Sequence, residues 1–380
     1  MPGIFGRSGR TLVAAAVIGG LGVGLAATDA AAQERVRWRV PIAFPSTLPS
    51  LGDNMQWVAD MLEMASGGNI QLRIAEPGEL VPALELTEAV GQGQVEAGYN
   101  WVGYDQGRIP ASPLFSAVPF GLEPWEYAAW WYYGGGRELG EDIYGANNVH
   151  PIFCGITSPE TAGWFREPIE SLEDLQGLRI RFAGLGGRVM QALGANVTMI
   201  PGGEVFQSLE RGAIDAAEFA LPAVDQLLGF GQVAPYNYFP GWHQPMTALH
   251  LVVNLDTWNA LDEQTQALFN MACQAGVMNA LSKSEAEQGA VIRDFPDHGI
   301  TALILPEPIL RELYAVTQQV LEEEAARDED FARVLESQRS FREDYDYWKQ
   351  YGYLPRDFIS DVPVADQVET GEGEGEGGGQ

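Results

Sequence analysis

"GLRIRFAGLGGRVMQALGA", residues 177–195, decides how this 380-residue chain is read. Residues 178–182 alternate as a strand does, a glycine cluster follows at 184, 186 and 187, and residues 188–193 place apolar side chains at helical spacing. Beyond Gly194 the unit recurs: strand 197–200, helix 203–211, Gly212, strand 213–219. Strands alternating with short helices predict parallel α/β sheets. The cluster is not a dinucleotide fingerprint: Gly184 and Gly186 fit G-x-G-x-x-G, but position 189 is valine, and no G-x-x-x-x-G-K-[ST] occurs here. The glycines then read as a tight turn from strand to helix. On the strand, Arg179 and Arg181 share one face, opposite Ile180 and Phe182. A strand face covered by helices is normally apolar, so an arginine there has a task. Its planar fork holds a carboxylate in two parallel hydrogen bonds, or it pairs with a nearby Asp or Glu at the strand end. The pattern alone leaves both open.

Outward from this stretch the alternation continues. Residues 37–44 read as a strand, 51–68 as an amphipathic helix stopped by Gly67-Gly68, and 70–76 as a strand. "AVGQGQVEAGY" (89–99) and "SLERGAIDAAE" (208–218) align without a gap, each a helix end, a capping glycine (Gly93, Gly212) and a short strand. Any helix–Gly–strand unit has this form; the alternative is two similar lobes. Ligands of open α/β sheets sit beyond the carboxyl ends of strands, so Tyr99-Asn100 and Glu218-Phe219 become candidates to face one cleft from both sides. Residues 306–352 read as long helices with Leu310, Leu313, Val316, Val320 and Leu321 along one stripe. Residues 363–380 form a Gly/Glu-rich tail with too little apolar surface to fold.

Asp and Glu number 52 against 22 Lys and Arg, a net charge of −30. Such a surface repels nucleic acid and anionic membranes, so neither is an expected partner. Arg7 and Arg10 precede an apolar run, Thr11 to Ala27, and Ala30-Ala31-Ala32 follow. That is the layout of a secretory signal peptide cut after Ala32, giving an exported protein. Cys154 and Cys273 are the only cysteines; in an oxidising compartment they pair or remain two buried thiols, and they are too few for a zinc site. His150, His243, His250 and His298 show no close metal-ligand spacing, and no G-x-S-x-G occurs, so no enzyme constellation emerges. Trp101 and Trp130-Trp131 read as packing.

Several motifs stand in a telling order: "GELVPALELTEAV" (78–90), "LFSAVPFGL" (114–122), "AGWF" (162–165), "GLRIRFAGLGGRVMQALGA" (177–195), "SLERGAIDAAEF" (208–219) and "FPGWHQP" (239–245). Over about residues 36–350 the chain resembles the extracytoplasmic solute-binding proteins of TRAP transporters, the DctP type, and within it the subgroup that binds 2-oxo and 2-hydroxy monocarboxylates. The resemblance implies a two-lobed periplasmic binding protein fold of α/β class, with crossing hinge strands and a long C-terminal helical region. It places lobe I at 36–155, completed by about 245–295, and lobe II at 156–244, completed by about 296–310. It implies no catalysis: the protein closes around a small organic acid in the periplasm and delivers it to TRAP membrane permease subunits. A ligand sensor is the second role such a fold serves.

The same resemblance assigns residues. Arg181 stands at the family's carboxylate-binding arginine, Tyr104 at a pocket tyrosine, and Trp242 in a motif that lines the cleft; Asn100, a candidate from its place just past a strand, is the other expected pocket wall. Glu218 with the backbone carbonyl of Phe219, joined by Gln244, matches a cation site that also touches the solute; Phe219 stands where the subgroup usually has tryptophan. Glu160 in "GITSPETAGWF" (155–165) replaces a usual glutamine. A second carboxylate beside Glu218 is costly unless neutralised. Ca²⁺, with its preference for several oxygen ligands, is therefore favoured over Na⁺. The alternative is that Glu160 meets the amino group of a zwitterionic solute. The resemblance also allows a homodimer through the C-terminal helices.

Overall fold

The computed structural model of the chain describes residues 35–354 and Arg356; the expected signal peptide (1–32) and acidic tail (363–380) lie outside the described residues. The chain starts with a parallel βαβ unit. Strand β1 (Val36–Pro41) pairs with β2 (Ile70–Ala75) through helix α1 (Gly52–Ala65). In β1, Val36, Trp38 and Val40 are buried while Arg37 and Arg39 are exposed, the alternation of a strand with one covered face. Met55, Val58, Ala59 and Leu62 form the buried stripe of α1. Helix α2 (Leu86–Gly91) leads into β3 (Ala97–Asn100), which meets the end of β1 through a bridge between Ile42 and Tyr99. Helices α3 (Pro124–Tyr133) and α4 (Gly136–Gly145) follow, then β4 (Val149–Ile156), buried along almost its whole length.

The chain then crosses to a second sheet. Strand β5 (Gly163–Phe165) and β6 (Arg179–Arg181) are followed by α5 (Gly184–Ala192), β7 (Asn196–Thr198), α6 (Gly202–Glu210), β8 (Ala216–Ala217), α7 (Pro222–Leu227) and β9 (Tyr236–Phe239). It returns with β10 (Ala248–Asn254), which lies between β3 and β4 and runs antiparallel to both. Helices α8 (Leu255–Ala260) and α9 (Glu263–Asp294) lead to β11 (Thr301–Ile304) at the edge of the second sheet, whose order is β11-β9-β5-β8-β6-β7. The result is a two-lobed α/β structure closed by α10 (Glu307–Arg327) and α11 (Glu329–Gly352). Helix α10 packs on α5 of the second sheet and α11 on α3 and α4 of the first. Leu313, Val316, Val320 and Leu321 of the expected stripe are buried in that packing. Arg188–Glu324, 3.0 Å, and Gln338 Nε2 to the Leu114 carbonyl, 2.6 Å, add polar ties to each side. No helix among the described residues is long and apolar enough to cross a membrane.

Two local readings change. The glycine cluster is not a turn before a helix at 188: α5 starts at Gly184, which has φ +58, and the remaining glycines lie inside it. A Cβ at Gly186 would stand 2.5 Å from the Phe182 ring and 2.8 Å from Cβ of His243, so glycine lets the helix press against the end of β6. The strand expected at 213–219 shortens to β8, which leaves Glu218 just beyond a strand end.

Cys154 of β4 and Cys273 of α9 form a disulfide, which settles the choice between pairing and free thiols. It closes a loop with a sequence separation of 119 residues. Restricting an unfolded loop that long contributes about 4–5 kcal/mol in the chain-entropy account. We expect the Cys154→Ser/Cys273→Ser variant to lose about 3–5 kcal/mol of unfolding free energy, read from urea titrations; an unchanged midpoint refutes this.

Candidate carboxylate and cation site

The site grows from the carboxyl ends of two adjacent parallel strands. Arg181 closes β6 and lies in register with Ala217, the last residue of β8, so Glu218 follows directly beside it. The two arginines of the opening stretch share a strand face yet meet different fates. Arg179, near solvent, donates from Nε to Asp215 Oδ2 at 2.8 Å and from Nη1 to the Gly212 carbonyl at 2.9 Å. Arg181, 1% exposed, donates from Nη1 to Glu218 Oε2 at 3.0 Å and to the Glu218 carbonyl. Its guanidinium carbon stands 5.1 Å from the Phe219 ring centre.

The facing wall comes from the first sheet: Phe44 and Leu51 ahead of α1, and Trp101 and Tyr104 beyond β3. Crossing segments complete the enclosure, Glu160 between β4 and β5, Gln244 and Thr247 between β9 and β10. Together with Arg181, Glu218 and Phe219 they surround a chamber of about 10 Å³. That is room for roughly one water-sized species. A carboxylic acid reaches Arg181 only when the two walls separate.

Three buried side chains converge there. His243 Nε2 lies 3.3 Å from Glu218 Oε1 and 3.8 Å from Glu160 Oε2. None of these three atoms has a hydrogen-bond partner, and all fall within 4.8 Å of one another. The other oxygens are engaged: Glu218 Oε2 accepts from Arg181 and from the Ala183 N–H at 3.2 Å, while Glu160 Oε1 accepts from Thr247 Oγ1, which accepts from Gln244 Nε2 at 2.8 Å. Burial opposes ionisation of Glu218, but Arg181 and His243 outweigh it and hold its carboxyl below the usual range. Burial dominates at Glu160, which is pushed up to about 7. Burial also opposes the His243 imidazolium, yet the two carboxylates outweigh it and raise its pKa. Tyr104 is pushed up to about 12, chiefly by burial, and stays a neutral hydroxyl. Unpartnered buried oxygens facing one another are the donor set a hard cation takes.

Of the residues singled out in the sequence, Arg181, Tyr104, Glu160, Glu218, Phe219 and Gln244 line this chamber. Asn100 and Trp242 do not. Asn100 Nδ2 donates to Thr87 Oγ1 of α2 at 3.1 Å, because its strand position turns it to the helix covering β3. Trp242 is buried behind the chamber between Phe120, Phe182 and His243, where its large ring packs instead of facing a solute. Trp101, read as packing, is a chamber wall in edge contact with Tyr104. His243 has no ligand residue at close spacing in the sequence; its signal there is its place in "FPGWHQP", between Trp242 and Gln244.

Comparison with known proteins agrees with this architecture. Residues 45–328 match the profile of the DctP family, "bacterial extracellular solute-binding protein, family 7". A monocarboxylate 2-oxoacid-binding periplasmic protein of Nostoc is 35% identical over 319 residues, 84% of this chain and 87% of the relative. A TRAP periplasmic solute-binding protein of Colwellia psychrerythraea, with bound calcium and pyruvate, superposes with a TM-score of 0.80 at 32% identity, covering 84% of this chain and 98% of that one. Its counterpart from Pseudoalteromonas atlantica, with bound sodium and pyruvate, gives 0.80 at 31% identity over 84% and 97%.

Proposed function

This chain belongs to the bacterial extracellular solute-binding proteins of family 7, the DctP type, and on that premise we propose that it captures a small 2-oxo or 2-hydroxy monocarboxylate together with a cation. Its family and structural relatives are substrate-binding proteins of transporters, not enzymes. The reading rests above all on Arg181, buried at a strand end beside Glu218 and facing the unpartnered oxygens of Glu160 and Glu218. In it, the Arg181 fork receives the solute carboxylate. Tyr104 stands by as a neutral hydroxyl, and Phe219 walls the solute in. Glu218, Glu160, the Phe219 carbonyl and Gln244 are the residues that would hold the cation, with His243 beside them.

A bound cation supplies the positive charge that two buried carboxylates and an anionic solute require. With Arg181 positive, and the ion taking the place of the His243 proton between the two carboxylates, a divalent ion brings two carboxylates and one solute anion to overall neutrality, and a monovalent ion leaves one negative charge buried. This favours Ca²⁺ over Na⁺, and relatives with either ion are known. The solute enters by separation of the walls carried by the two sheets, with 36–155 and 156–244 as the lobes and the crossing segments as hinge. Export to the periplasm by the signal sequence at 1–32, delivery to TRAP permease subunits, and pairing of two copies through the C-terminal helices complete the reading.

Titration calorimetry with pyruvate tests it. Chelating Ca²⁺ with EGTA should weaken binding at least about 10-fold, since it exposes buried like charges to one another. Unchanged affinity after chelation removes the cation from the reading. Binding of amino acids in preference to oxo acids assigns Glu160 to a solute ammonium instead.

A further inference from the structure

Trp101 reaches from one wall of the chamber to the other. It follows β3 of the first sheet and is 3% exposed. The six-membered edge of its indole is held between two glycines. A Cβ on Gly103, in its own wall, would stand 2.4 Å from Trp101 Cη2; a Cβ on Gly184, the first residue of α5 on the second sheet, would stand 3.0 Å from the same atom. The Tyr104 ring meets the indole edge-on at 4.9 Å. Gly103, Tyr104 and Gly184 also line a neighbouring cavity of about 430 Å³, together with Leu84, Phe182 and Met199, so the ring edge parts that cavity from the chamber. The seat spans both sheets and is complete only while the two walls are together. The nitrogen of this ring has no acceptor: Trp101 Nε1 is buried without a hydrogen-bond partner. The other polar side chain of that wall, Tyr104, stands against Arg181. Among the described residues lining the chamber, Trp101 is thus the one in the first-sheet wall with a side-chain donor unused. A buried N–H left dry opposes the closed form, and an acceptor oxygen beside it removes that penalty.

We propose that Trp101 is the closure latch of this protein: its ring edge seats between Gly103 and Gly184, and its indole N–H donates to an oxygen of the acid that Arg181 holds. This rests on the proposed carboxylate site and adds the residue by which the opposite wall responds to its being filled. Closing on an empty chamber leaves the N–H unpaired; closing on an acid pairs it. The solute then bridges the walls, Arg181 from one sheet and Trp101 from the other, so the closed form is favoured when it is filled.

Nuclear magnetic resonance and calorimetry test the proposal. In protein labelled with indole-¹⁵N tryptophan, the Nε1–H resonance that disappears in Trp101→Phe should move downfield and exchange more slowly with solvent when pyruvate and Ca²⁺ are added. Trp101→Phe should bind pyruvate at least about 10-fold more weakly, as loss of a hydrogen bond to a charged group predicts. The three atoms nearest a methyl added at Gly103 all belong to the Trp101 ring. Gly103→Ala should therefore weaken binding as well, and adding Trp101→Phe to it should cost little more, because both changes remove one seat. A Trp101→Phe protein that melts cooperatively and binds pyruvate as the parent does overturns the latch. So does a Trp101 resonance that stays in place while the parent binds pyruvate, or a double variant whose losses add. If Trp101→Phe fails to fold, the resonance displaced in Gly103→Ala serves in its place, and binding by that variant at parent strength overturns the latch. A parent that binds no oxo acid at all strikes the carboxylate site itself, and the latch with it.

Discussion

Replacing Arg181 with alanine is expected to remove binding of every organic acid, a loss of at least about 100-fold, because truncating one partner of a buried charged pair costs about 3–5 kcal/mol. The same change leaves Glu218, 1% exposed, with its carboxylate uncompensated apart from His243 and the Ala183 N–H. Stability should therefore fall too, and binding must be separated from folding. Glu218 in the parent has a pKa below its ordinary value, so its contribution is present above about 4.5 and is lost as pH falls through the lowered value. Without Arg181, burial is expected to outweigh His243 and the Ala183 N–H and to raise the pKa of Glu218. The variant's stability deficit should then be largest at neutral pH and shrink on acidification, read from melting temperatures between pH 4 and 8. Arg181→Ala/Glu218→Gln should recover much of the stability and none of the binding. Retained affinity for oxo acids in a folded Arg181→Ala protein would sink the assignment.

The second large effect is expected at Glu160. A charge about 4 Å from a cation is worth roughly 4 kcal/mol at an effective dielectric of 20. Glu160→Gln should therefore lower Ca²⁺ affinity by about 100- to 1000-fold and affect Na⁺ less, measured by calorimetry with pyruvate held in excess. The parent should also bind Ca²⁺ more weakly as pH falls from 8 to 6, because burial sets Glu160 near 7 and protonation takes away its charge. In the cation-free protein the same raised pKa contributes stability below about 4.5 that is lost as pH rises through about 7. Added Ca²⁺ should reverse that loss. Glu160→Gln should drop one proton's share of the pH slope and keep what His243 contributes. An unaltered Ca²⁺ affinity would leave Glu160 to a solute ammonium.

Much of the fold was legible because its signals are local. Alternation in 36–41, helical spacing in 52–65 and capping glycines at 93 and 212 each act within a few residues. The glycines at 184–187 misled for the same reason: glycine marks a turn in sequence, and only the Phe182 ring and His243 packed against α5 show that these positions needed close approach. Asn100 was misplaced because a strand end has two faces, and the covering helix α2 chose between them.

By itself, the sequence determined an α/β chain with a strand-end arginine, a glutamate just past the neighbouring strand, and membership of a solute-binding family. Motif order and periodicity carry that much, since both are written in consecutive residues. Only the tertiary structure decided that Arg179 is held at the surface by Asp215 while Arg181 is buried, that His243 joins Glu160 and Glu218, and that Trp101 of one wall is seated against Gly184 of the other. The physical reason is that burial and mutual distance set whether a charge is screened, paired or left to a ligand, and chain crossings between two sheets fix both.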